Sequence, residues 1–188
     1  MRSKPGCKLS HKLKKKIRTS ASLLSPVSPS RLTEEFLKII NGGHSFEIVN
    51  AALETDLYEY LQPAASNLIL ENKKFAKSYL ENLKKLDEFV SQNHDSKLGE
   101  RLYFLLKDFV EQLTDWKLEA QSEYSASEIY KRTWAICRNF VLPINPQRTE
   151  LDFAVRKLLQ DAGIQIKPKR TKRSRRLQIQ QDIPEQEN

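Results

Sequence analysis

Glycine is scarce, with five in 188 residues, and a shortage of the residue that tolerates tight turns argues against a turn-rich sheet protein. Cysteine is scarcer still. Cys7 and Cys137 stand far apart in sequence, so no disulfide framework is indicated. No apolar stretch approaches the roughly 18 residues of a membrane span. The first 30 residues are basic but lack an apolar run of about seven and a small-residue cleavage site. Neither a span nor a secretory signal is expected, and a cytoplasmic location is. His11, His44 and His94 each stand without a partner at metal-ligand spacing, so no metal site is expected. There is no Gly-rich phosphate loop, no Ser-His-Asp order and no paired Asp motif on a strand, hence no expected catalytic residue. Cys137 neighbours Arg138 but has no evident base, and reads as a buried structural thiol.

What the chain does have is positive charge, unevenly spread. The net charge is +8. Residues 1–18 carry eight Lys or Arg and no acid; residues 167–176 carry seven more, again with no acid. The stretch between them, 19–166, holds 17 basic and 21 acidic residues, and Asp182, Glu185 and Glu187 follow the second cluster. A mildly acidic body with two concentrated cationic arms is the layout expected for capture of a polyanion. The expected partner is a nucleic acid, contacted by Lys167, Lys169, Arg170, Lys172, Arg173, Arg175 and Arg176, which can track phosphates without reading bases. Seven such contacts to a single strand would give a salt slope of about −5, at roughly −0.7 per contact. In a eukaryote the same peptide would resemble a nuclear localisation signal, and charge alone does not separate the two.

Periodicity between the arms is helical. Ser25-Pro26-Val27-Ser28-Pro29-Ser30 interrupts any earlier helix and supplies capping hydroxyls for the next. Leu32, Phe36, Ile39 and Ile40 then form one stripe, ended by Asn41-Gly42-Gly43. Ser45 can cap a second helix carrying Val49, Ala52 and Leu53, and Leu57, Tyr58 and Leu61 cluster before Pro63. A longer helix carries Phe75, Tyr79, Leu83, Leu86 and Val90, with Asp87 and Glu88 on its solvated face. After the break Asn93-His94-Asp95-Ser96, the stripe Leu98, Leu102, Leu105, Phe109 and Leu113 predicts another. Ser125 and Glu128 have capping-box spacing, opening a helix through Trp134 and Ile136. Asn145-Pro146 opens a last one, with Leu151, Ala154, Val155, Leu158 and Leu159 inward and Gly163 as its stop.

The expected fold is therefore all-α, a bundle of about six helices with no strand. It divides into a basic N-terminal arm (1–27), a helical body (28–166) and a tail (167–188) too poor in apolar residues to fold alone. Phe36, Phe75, Phe109, Trp134 and Phe153 fall on helical stripes and are expected in the core, whereas Trp116, Tyr124 and Tyr130 are open to base stacking.

The segment from Ser28 through Arg31, Glu35 and Phe36 to Ile40, followed by Gly43 and Leu53, resembles the helical neck and body of bacterial poly(A) polymerases and the related CCA-adding tRNA nucleotidyltransferases. In that family an Arg and a Glu four residues later open the helices behind the nucleotide pocket, which implies that role for Arg31 and Glu35. Leu142-Pro143-Ile144-Asn145-Pro146, leading into Glu150-Leu151 and a Lys/Arg-rich C-terminus, is closer to the poly(A) polymerase branch. The resemblance covers about residues 20–176. The family's catalytic head, a small sheet with two metal-binding Asp residues, has no counterpart in this sequence. The resemblance thus implies an RNA-binding portion that is inactive without a separate head, to which ATP and Mg2+ would belong, leaving no cofactor in this chain. A CCA-adding fragment is the alternative within the family; a helical scaffold with a basic targeting tail is the alternative outside it.

Overall fold

Ser10 sits in extended backbone and its Oγ accepts the Leu13 N–H at 3.3 Å, so the first helix begins inside the basic arm. The computed structural model describes residues 9–114 and 124–166, and every regular element there is helical. Helix α1 spans His11–Ser20 and runs into a 3-10 turn, Ala21–Leu24. The others are α2 (Pro29–Asn41), α3 (Ser45–Glu54), α4 (Tyr58–Leu61), α5 (Pro63–Glu71), α6 (Lys73–Gln92), α7 (Leu98–Leu113), α8 (Ala126–Phe140) and α9 (Arg148–Asp161). Helices α1, α4 and α5 are additions to the sequence reading: α1 buries no residue, α4 is a single turn where only an apolar cluster was expected, and α5 bunches Leu68, Ile69 and Leu70 consecutively, leaving Leu70 exposed.

The bundle is organised around the α6–α7 hairpin. Phe75, Tyr79, Leu83, Leu86 and Val90 of α6 are all buried, each stabilising the fold by about 1.5–3 kcal/mol through loss of apolar surface to water. Helices α3 and α5 pack on α6, while α9 packs on α7 and carries α8. Leu151, Ala154, Val155, Leu158 and Leu159 face inward as expected, and Phe109 stacks on Phe140 with centroids 3.9 Å apart. Two expected core residues stay out: Leu113, the last residue of α7, is exposed, and Phe153 falls off the α9 stripe onto its flank at 38% exposure.

Helix ends use both local and distant partners. Ser125 and Glu128 form the expected capping box, with Glu128 N–H on Ser125 Oγ at 3.3 Å and Ser125 N–H on Glu128 Oε2 at 2.9 Å. Hydrogen bonds from Ser125 hold the Glu128 carboxyl below its ordinary pKa. Gly163 (φ 80°) ends α9 in a Schellman arrangement, Ile164 N–H reaching Leu159 O at 2.8 Å. Helix α3 departs from expectation. Ser45 is its buried first residue, and the capping carboxylate is Asp87, which accepts from Ser45 N–H at 2.6 Å and Phe46 N–H at 2.9 Å. Asp87 is thus a half-buried cap rather than part of a solvated face. The last helix also starts later than Asn145: Asn145 N–H donates to Thr33 Oγ1 at 3.0 Å, and Gln62 Nε2 donates to Val141 O at 2.9 Å. These two bonds fasten the turn between α8 and α9 to the N-terminal helices.

Among the described residues every buried side-chain N or O atom except Trp134 Nε1 has a hydrogen-bond partner. The Tyr58 and Tyr79 hydroxyls lie 2.6 Å apart, both held neutral by burial, and Asp108 accepts from Ser78 at 2.5 Å and Asn82 at 2.6 Å. Arg101, 8% exposed, spreads its donors over Asn41 Oδ1, Ser96 Oγ and His94 O, pinning the break between α6 and α7 to the end of α2.

Candidate nucleic-acid interface

Successive residues of an α-helix turn by about 100°, so positions 12, 15 and 16 share one side of α1 and positions 14, 17 and 18 the other. The structure uses the two sides differently. Lys14 pairs with Glu54, Arg18 pairs with Asp56 at 3.0 Å and also donates to Glu54 O at 2.6 Å, and half-buried Ile17 lies between them. These contacts clip the cationic helix to the acidic end of α3. Lys12, Lys15 and Lys16 are exposed on the opposite side, with no ion pair among the described residues. Attraction to an acidic body thus consumes two cations and leaves three aligned over about one turn for an external anion.

Beneath α1, between it and α2–α3, lies an open groove of about 1400 Å³. Ile17, Leu24, Ile39 and Leu57 give it apolar surface, and Arg31, Glu35, Lys38 and Glu54 give it charge. Arg31 and Glu35, singled out by resemblance, are brought together here: both are exposed on the first turns of α2, one turn apart, and both line the groove. Glu35 accepts from Lys38 Nζ at 2.6 Å, while Arg31 makes no ion pair among the described residues. Hydrogen bonding to Glu35 raises the pKa of Lys38.

Other sites from the sequence fare differently. Lys167, Lys169, Arg170, Lys172, Arg173, Arg175 and Arg176 lie outside the described residues, as do Cys7 and Trp116. Cys137 is fully buried, and loss of hydration pushes its thiol up to about 12, the behaviour of a structural cysteine. Among the described residues no cluster of three or more His, Cys, Asp or Glu could hold a metal ion, and no helix is long and apolar enough to cross a membrane. His94 serves through its carbonyl on Arg101, and His44 faces Glu47 at 3.9 Å. Sequence reasoning placed the N-terminal cations in an arm without assigning their faces. The signal was present in Ser10, a helix-opening residue, followed by lysines at i, i+3 and i+4.

Residues 6–69 match a family described as "Probable RNA and SrmB- binding site of polymerase A". The match takes in α1, the groove, Arg31 and Glu35, and covers about a third of the chain. No curated protein and no solved structure matches. The chain is thus similar to the RNA-binding region of poly(A) polymerases, in agreement with the resemblance carried by residues 28–40.

Proposed function

We propose that a chain similar to this RNA-binding region acts as a holder of single-stranded RNA 3′ ends in a poly(A)-polymerase-like system, with nucleotidyl transfer performed by a separate catalytic head. The observation that carries the reading is the division of labour on α1: Lys14 and Arg18 fix the helix to the body, and Lys12, Lys15 and Lys16 stand free for phosphates within residues 6–69. The cationic tail from Lys167 to Arg176 adds a second phosphate-tracking segment. In this reading Arg31 and Glu35 present the groove beneath α1 to the nucleotide side of the head. ATP and Mg2+ would be bound by the head, since metal-assisted phosphoryl transfer needs carboxylates that hold both attacking and leaving oxygens.

Binding of a labelled oligo(A) by the full chain across a salt series, beside a chain ending at Ile166, tests it. Salt-sensitive binding, weakened by the truncation and with a slope falling by about 5 when all seven tail cations are removed, is the expected result. A full chain that fails to bind at low salt rules the reading out. Activity restored by adding a head with ATP and Mg2+ would extend it to polyadenylation.

A further inference from the structure

A second cationic surface lies in the C-terminal helices, outside residues 6–69. Helical spacing aligns Tyr130, Trp134 and Arg138 along one edge of α8, and Arg148, Asp152 and Arg156 along the facing edge of α9. The two edges meet in a seam. The Arg148 guanidinium lies 5.2 Å from the Trp134 ring centre, and that of Arg156 lies 5.0 Å from the Tyr130 ring. Arg138 closes one end, donating to Ile144 O at 3.3 Å and Asn145 Oδ1 at 2.7 Å.

The acids of α8 and α9 are mostly committed elsewhere. Glu128 belongs to the capping box, Glu150 accepts from Gly99 N–H at 2.6 Å, and Asp161 accepts from Tyr103 Oη at 2.6 Å. Asp152 alone of them sits in the seam, offset by Arg156 at 2.8 Å and by the Tyr130 hydroxyl. Arg148 is exposed and donates no hydrogen bond among the described residues, while the half-buried Trp134 beneath it has its Nε1 buried without a hydrogen-bond partner. A guanidinium stacked on a ring keeps its N–H edge available for a phosphate fork. From Arg148 to Arg156 the seam runs about 12 Å toward the end of α9, beyond which the tail cations begin.

We propose that this seam is a second contact surface for single-stranded RNA, with Arg148 and Arg156 on separate phosphates of one strand and a base stacked over the Arg148–Trp134 pair. The proposal rests on the reading of the chain as an RNA binder and adds a site to it. Alternating guanidinium and aromatic groups suit a flexible strand better than a duplex, whose bases are already stacked.

The test uses the full chain with Trp116→Phe, which leaves Trp134 as the sole indole, and Arg148→Gln/Arg156→Gln in the same background. Labelled oligo(A) is titrated by anisotropy across a salt series while indole emission is followed. The double variant is expected to bind about tenfold more weakly at low salt, with a salt slope shallower by about 1.4. Trp134 emission is expected to be quenched by oligo(A) but not by inorganic polyphosphate, which has no bases to stack. Normal RNA affinity of the double variant together with unchanged Trp134 emission overturns the seam and leaves the RNA reading standing. Absence of RNA binding by the parent chain removes both. Should the double variant melt early, the emission of the parent decides alone.

Discussion

Gly99 in the first turn of α7 donates its N–H to Glu150 Oε2 at 2.6 Å, and a β-carbon on Gly99 would stand 2.6 Å from the Glu150 carbonyl oxygen. The same β-carbon would meet Phe153 at 2.9 Å. The obstacle is backbone on one side and a ring root on the other, so neither can swing away. Gly99→Ala is expected to force α7 and α9 apart at a cost of about 1–3 kcal/mol, read as a lower urea midpoint with unchanged slope. Wild-type stability in this variant would show that the two helices separate freely there.

Asp87 supplies both acceptors for the start of α3 from a helix 42 residues away, at 2.6 Å and 2.9 Å. Asp87→Ala leaves two half-buried N–H groups without partners and is expected to cost about 2 kcal/mol; Asp87→Asn, which keeps one good acceptor, costs about half that. Amide exchange should locate the loss at Ser45 and Phe46. Uniform loosening across the bundle would place the role of Asp87 elsewhere.

The contrast between Asp87 and Ser125 shows what the sequence makes legible. Ser125 and Glu128 cap within one turn, and that spacing can be read directly; Asp87 caps across the bundle, and no local pattern announces it. The stripe of α6 was legible because five large residues keep one phase over its length. Helix α1 was not, because its two faces differ in what their cations touch rather than in hydrophobicity. Likewise Trp134 was legible as a helical residue, but the guanidinium above it comes from Arg148, after an intervening turn. Arg31 and Glu35 emerged only through a family resemblance, and their sharing of a groove with Glu54 depends on the packing of α2 against α3.

Burial of Cys137 has a pH signature. Its thiol is pushed up to about 12 in the fold, against roughly 8.5 for a free cysteine. Because the folded state holds the proton more tightly, this contribution is fully present below about pH 8.5 and is lost as pH rises from there toward 12. In a Cys7→Ser background, disulfide-exchange reagents at pH 8 are expected to modify Cys137 only at the rate of unfolding, and promptly in denaturant. Rapid modification of the native protein would contradict the buried placement.

The two faces of α1 give a prediction that separates binding from docking. Lys12→Gln/Lys15→Gln/Lys16→Gln removes three exposed cations without a folded partner, so stability should be unchanged while the salt slope for oligo(A) falls by about 2. Lys14→Gln/Arg18→Gln instead removes the clips to Glu54 and Asp56. All four side chains are more than one-third exposed, which limits the stability cost to about 1 kcal/mol per pair or less. The measurable consequence should be faster amide exchange along α1 with a smaller change in salt slope, because the three outward lysines remain. If the two variants changed the slope equally, α1 would present its cations to RNA on every side, and the ion pairs with α3 would yield on binding.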